Sequence, residues 1–204
     1  MILLTKNARS EAEGLFDEII EGDLLNSAFV QSIIPHLKKT YSTKGIISNY
    51  EHYVVVRSYL AERFGIPSST VYSAACTRNK AMQRNALKYM KENIDHRVVK
   101  TEAQALSAFN ALGGDVFIKS IAGIKSSHVF HVQSETAMRD AFTILKRDSG
   151  KIDEDLYNDY RYCDFNFDYP DPKHHFLVEK AIEGEQIGVT TLVEVYRLEC
   201  AVDY

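Results

Sequence analysis

Residues 113–132 read GGDVFIKSIAGIKSSHVFHV, and the fold turns on how this stretch divides. Gly113 and Gly114 stop whatever precedes them. Two apolar runs follow, 115–120 and 128–133, both with strand composition. In VFIKS, Val116 and Ile118 share one face of a strand, and Phe117 and Lys119 share the other. If the first face packs on helices, Lys119 projects into whatever lies opposite. An ammonium there needs an anion or water, because burying it unpaired is costly. Phosphate suits a point charge on a flexible stem. The run at 122–127, with Gly123, Lys125, Ser126 and Ser127, can bring backbone N–H groups and hydroxyls to the same anion. Taken alone, the segment reads equally as a plain hairpin with a lysine snorkelling to solvent.

Helical patterns flank this hairpin. Thr101 opens one with T-E-A-Q, in which Gln104 can reach back to the Thr101 backbone. Ser134 caps another that runs to about Arg147. HRVVK (96–100) and FLVEK (176–180) read as strands, and IGVTTLVEV and RLECAVDY as two more. Upstream, 78–93 is predicted to be one amphipathic helix with Thr77 as its N-cap, carrying Lys80 near its start. Residues 51–65 form a helix closed by Gly65, 44–48 (KGIIS) a short buried strand, and 27–41 a helix. In the first 25 residues, EAEGLFDEIIEGD reads as a helix running into a strand, or as part of each. The alternation predicts an α/β protein. Residues 148–175, acidic and aromatic without a period, read as a long loop.

Composition narrows the function classes. The 204 residues are 45% hydrophobic and 25% charged, an ordinary globular balance. Lys plus Arg is 24 against 28 for Asp plus Glu, a net of −4 that gives no support to nucleic-acid or anionic-membrane binding. Cys76, Cys163 and Cys200 are far apart and form no CxxC pair, so reduced thiols in the cytoplasm are expected. The opening MILLTKNARS is too short in its apolar part for a signal peptide or a membrane span. Asp171, His174, His175 and Cys163 fit no tight zinc spacing, and no metal site is expected. Neither a G-x-S-x-G elbow nor a P-loop occurs, and no catalytic residue is assigned.

The strand FLVEKAIEGE offers a carbonyl and, two residues on, an N–H along one edge. That spacing matches the amino donor and ring acceptor of adenine. The order of pieces matters more than any one of them: helix-borne lysine, strand, helix, strand with lysine, loop, strand, helix, then V-E-K with E-G-E. This order resembles the ATP-grasp family of carboxylate–amine and carboxylate–thiol ligases. The resemblance covers about residues 20 to 204.

The resemblance implies a small α/β pre-ATP-grasp domain at 1–66, a nucleotide lid at 67–182, and the first strands of a second grasp domain at 183–204. It implies that Lys80 and Lys119 contact the α- and β-phosphates of ATP, and that 122–127 closes over the β- and γ-phosphates. Glu179 would lie at the adenine edge, the Lys180 carbonyl and Ile182 N–H would bond the ring, and Glu185 or Gln186 would meet the ribose. The chain departs from the family in its lid loop, which reads G-I-K-S-S-H-V where the family has several more glycines. The ribose position two residues after Gly184 holds Gln186, with Glu185 one residue early. The family's Mg²⁺ ligands lie well downstream of the hinge strand, so Mg²⁺ is expected only with a C-terminal half. Turnover is not expected from these 204 residues alone. A fragment, a truncated gene product, or a completing second chain or homo-oligomer all accord with that. The expected ligands are a nucleotide and a small carboxylate. The rival expectation is a non-catalytic remnant acting as a binding or oligomerisation module.

Overall fold

A computed structural model of the chain describes residues 1–48, 50–122, 128–149 and 170–184. The first part is built on two short parallel strands, β1 (Ile2–Thr5) and β2 (Glu18–Glu21), with Ile2 opposite Glu18. Only a short 3₁₀ turn, Ser10–Ala12, interrupts their connection, so the expected helix is absent there. Helix α1 (Ser27–Thr40) begins where Asn26 Oδ1 accepts from the Phe29 N–H at 3.1 Å, and it buries Val30, Ile33 and Leu37. A 3₁₀ turn, Glu51–Tyr53, leads into α2 (Val54–Phe64). Gly65, at φ +66°, ends α2, with its N–H on the carbonyls of Ala61 and Glu62. Leu24, Val30, Val55, Val56, Tyr59, Leu60 and Val71 form the core between these pieces.

The predicted strand at 44–48 does not form. Ile47 is 95% exposed, and the segment runs as unpaired chain beside a cavity of about 610 Å³ bounded by β1, α1 and α2. A strand needs a neighbour that offers its own backbone groups, and among the described residues β1 pairs only with β2.

The predicted helix at 78–93 is corrected at both ends. An unpredicted helix α3 (Val71–Arg78) comes first, capped by Thr70, whose side chain accepts from the Ser73 N–H. Thr77 lies inside α3 and donates its hydroxyl to the Ala74 carbonyl at 2.7 Å. Asn79 breaks the run: its Oδ1 accepts from the Ala81 and Met82 N–H groups, starting α4 (Lys80–Ala86). An asparagine side chain competes with the helical backbone in this way, which is why it favours caps.

The second part is a four-stranded antiparallel sheet in the order β3-β6-β4-β5: β3 (His96–Val99), β4 (Val116–Ser120), β5 (Val129–Val132) and β6 (Phe176–Lys180). Helices α5 (Glu102–Ala111) and α6 (Glu135–Ser149) pack together against it. The Thr101–Gln104 capping box is present, and the Ser134 hydroxyl accepts from the Ala137 N–H at 3.2 Å. Gly113 and Gly114 both take positive φ after α5. Val116, Ile118, Val178 and Phe176 are sealed against Phe109, Met138, Phe142 and Leu145 on the helical side. The two strands predicted after residue 184, and most of the 148–175 tract, lie outside the described residues. Among the described residues no helix is long and apolar enough to cross a membrane.

Candidate functional site

The strand alternation read from VFIKS holds. Val116 and Ile118 are buried beneath the helices, so Phe117 and Lys119 stand on the opposite face of the sheet. Antiparallel pairing places Phe117 opposite Glu179 and Lys119 opposite Leu177, which puts Glu179 on that same face. Helix α4 approaches this face. Ala81 packs on Ile121 and Leu177, and the Lys80 N–H donates to the Ile121 carbonyl at 3.0 Å. Asn79, fully buried, also ties the start of α4 to the chain at Pro170, donating from Nδ2 to its carbonyl at 3.3 Å. Lys80 is thereby fixed beside Ile121, one residue beyond the end of the lysine-bearing strand and two beyond Lys119.

The charges that gather here alternate. Glu179, 4% exposed, accepts from Arg84 Nε through Oε1 at 2.5 Å and pairs with Lys119 Nζ through Oε2. Burial pushes its carboxyl up, but the hydrogen bonds and charges of Arg84 and Lys119 outweigh that and hold it below its ordinary value. Lys80 is held below the usual lysine range, first by burial and then by the Lys119 and Arg78 charges, with Glu51 and Glu179 opposing. Arg78, itself buried, pairs with Glu51 and lies 3.4 Å from His52 Nδ1. Among the described residues, four cations, Arg78, Lys80, Arg84 and Lys119, thus meet two carboxylates, Glu51 and Glu179. Ammonium and guanidinium groups gathered in this way can bind a polyanion.

Of the residues predicted from the sequence, Lys80, Lys119 and Glu179 converge. Strand β6 ends at Lys180, whose N–H donates to the Asp95 carbonyl at 2.9 Å, while the Ala181 N–H donates to the Asp115 carbonyl at 3.0 Å. Beyond them the chain leaves the sheet and Ile182 is 69% exposed. Gly123, Lys125, Ser126, Ser127, Glu185 and Gln186 lie outside the described residues. Next to the cluster, a cavity of about 660 Å³ lies between α4, β3 and the turn at 170–175, lined by Met82, Val98 and Pro170 and by His96 and His175.

Four participants went unread in the sequence: Glu51, Arg78, Asn79 and Arg84. Arg84 had a usable signal, since it follows Lys80 by four residues and so shares its helix face. His174 and Asp171 make a local 2.6 Å contact within a turn, and no cluster of three or more metal-ligating side chains occurs among the described residues.

No family model matches the sequence, and no curated protein does. Solved structures do match the fold. An N5-carboxyaminoimidazole ribonucleotide synthetase solved with ADP superposes at a TM-score of 0.58 with 12% identity, over 89% of this chain and 40% of that one. An L-amino acid ligase from Bacillus licheniformis gives 0.56 and 13%, over 83% of this chain and 34% of its own. The biotin carboxylase domain of the Hydrogenobacter thermophilus 2-oxoglutarate carboxylase gives 0.55 and 14%, over 89% and 44%. These structures are ATP-grasp ligases, and over the part it covers this chain has their fold. The chain spans roughly two fifths of their length.

Proposed function

We propose that this chain is the nucleotide-binding portion of an ATP-grasp ligase, with Lys80 and Lys119 receiving the phosphates of ATP. The observation that carries this reading is the meeting of Lys80, Lys119 and strand β6 on one sheet face. The donor set fits the ligand: flexible ammonium groups and arginines match a polyphosphate. When bound, ATP supplies the leaving phosphate that activates a carboxylate for attack by an amine or similar nucleophile.

In this reading the domains divide as a pre-ATP-grasp part at 1–66, a lid at 67–182 and the start of a second grasp part at 183–204. The Lys180 carbonyl and Ile182 N–H face the adenine where β6 leaves the sheet, and Glu185 or Gln186 meets the ribose. Gly123, Lys125, Ser126 and Ser127 close over the phosphates. Mg²⁺ chemistry belongs to the region of such ligases that this chain does not span. The protein acts in the cytoplasm, where buried Cys76 remains a thiol.

Thermal unfolding with ATP and Mg²⁺ tests the reading. The melting temperature of the wild type rises with nucleotide concentration, as mass action requires of a ligand that binds the folded state. Lys119→Ala abolishes most of that rise. A melting curve indifferent to millimolar ATP, with Lys119→Ala indistinguishable from wild type, overturns the reading and favours a fold retained for another purpose.

A further inference from the structure

Glu179 is shared between two cations that reach it from different elements. Arg84 arrives from α4, 95 residues away in sequence, and takes Oε1; Lys119 arrives from β4 and takes Oε2. The carboxylate is almost wholly removed from solvent. A lysine that turns toward a phosphate must loosen its hold on this carboxylate, and a buried carboxylate left without a partner is strongly disfavoured. Lys119 alone would therefore face a competition between its own counterion and the ligand.

Arg84 removes that competition. Its guanidinium holds its oxygen through a directed N–H. We propose that Arg84 is a positioning residue of the phosphate site, keeping Glu179 neutralised so that the Lys119 ammonium can pass from Glu179 to a phosphate oxygen, a role that rests on the nucleotide reading above. Glu179 is then an internal counterion that sets the availability of Lys119, and its side chain need not touch the ligand. Lys80, held to the Ile121 carbonyl through its own backbone, keeps its place while Lys119 moves.

Calorimetric titration of the full chain with ATP tests this in wild type, Arg84→Met, Arg84→Lys, Glu179→Gln and the Arg84→Met/Glu179→Gln double variant. Arg84→Met binds ATP at least about tenfold more weakly than wild type, because Glu179 then claims Lys119 alone. Arg84→Lys, which retains the charge, loses less. The double variant returns to within about threefold of wild type, since a neutral amide no longer competes for the ammonium. A merely structural role for Arg84 leaves the double variant as weak as Arg84→Met. If Arg84→Met does not fold, the double variant, which buries no unmatched charge, is compared with Glu179→Gln and binds equally well. An Arg84→Met affinity equal to wild type, a double variant as weak as Arg84→Met, or a double variant about tenfold weaker than Glu179→Gln overturns the role of Arg84 but leaves the nucleotide reading intact. Absence of ATP binding by the wild type overturns both.

Discussion

Two short apolar segments that each carry one lysine and end in serine, KGIIS at 44–48 and VFIKS at 116–120, reach opposite states. VFIKS becomes β4, paired on both sides, by β5 and by β6, with Ile118 fully buried. KGIIS stays unpaired beside the 610 Å³ cavity, with Ile47 almost fully exposed. The contrast runs through the whole molecule. The sheet of β3 to β6 closes against α5 and α6 around a continuous core, whereas β1 and β2 leave an open hollow against α1 and α2. A strand is a property of its neighbours as much as of its own residues. Where backbone partners exist on both edges, one face can be given wholly to packing and the other to charge. The cationic cluster gathers over the charged face of this closed sheet, with Lys119 on β4 and Lys80 and Arg84 brought to it by α4.

The largest effects should separate these two segments. Ile118→Ala removes a fully buried side chain and should lower stability by about 2–5 kcal/mol. Ile47→Ala should change it by less than about 0.5 kcal/mol. Urea unfolding of both variants measures the difference, and equal losses would mean that KGIIS is packed after all. Next in size is Gly65→Ala, which forces a side chain into left-handed backbone at φ +66° and should cost about 1 kcal/mol in the open part of the molecule. Thr101→Ala, which removes one half of the capping box on the closed part, should cost about 1 kcal/mol or slightly less in the same assay.

Acid titration sharpens the comparison from the electrostatic side. Glu179 has a folded-state pKa below its ordinary 4.5, so its contribution to stability is fully present above about that pH and is lost as pH falls through the lower folded value. Glu179→Gln should flatten that acid limb of the stability curve. Lys80 behaves in the opposite sense. Folding disfavours its ammonium, so stability rises with pH between its lowered folded value and 10.5. Lys80→Met should remove this alkaline rise, measurable by chemical unfolding across that range.

Features that depend on neighbouring residues were legible from the sequence. The Thr101–Gln104 box, the Gly65 terminus and the two-faced character of VFIKS each involve groups within a few residues of one another, and each is present. The failures involve competition or distance. Asn79 could continue a helix or cap one, and its side chain chose the cap, so the helix predicted at 78–93 starts at Lys80 and Arg78 ends a separate helix before it. KGIIS failed for want of a partner strand. The Arg84–Glu179 pair spans 95 residues and depends on α4 crossing the sheet face, which no local pattern encodes. Lys80 and Lys119 were singled out for a phosphate role, and the bond from the Lys80 N–H to the Ile121 carbonyl brings them together.

The central claim is that this cluster receives the phosphates of ATP, and proton uptake tests it most directly. Calorimetric titration with ATP is run at alkaline pH below 10.5 in two buffers of different ionisation enthalpy. An anion beside Lys80 raises its lowered pKa, so wild type should take up protons as it binds, and Lys80→Met should take up markedly fewer. Absence of binding, or binding whose proton uptake is the same in Lys80→Met as in wild type, would contradict the claim.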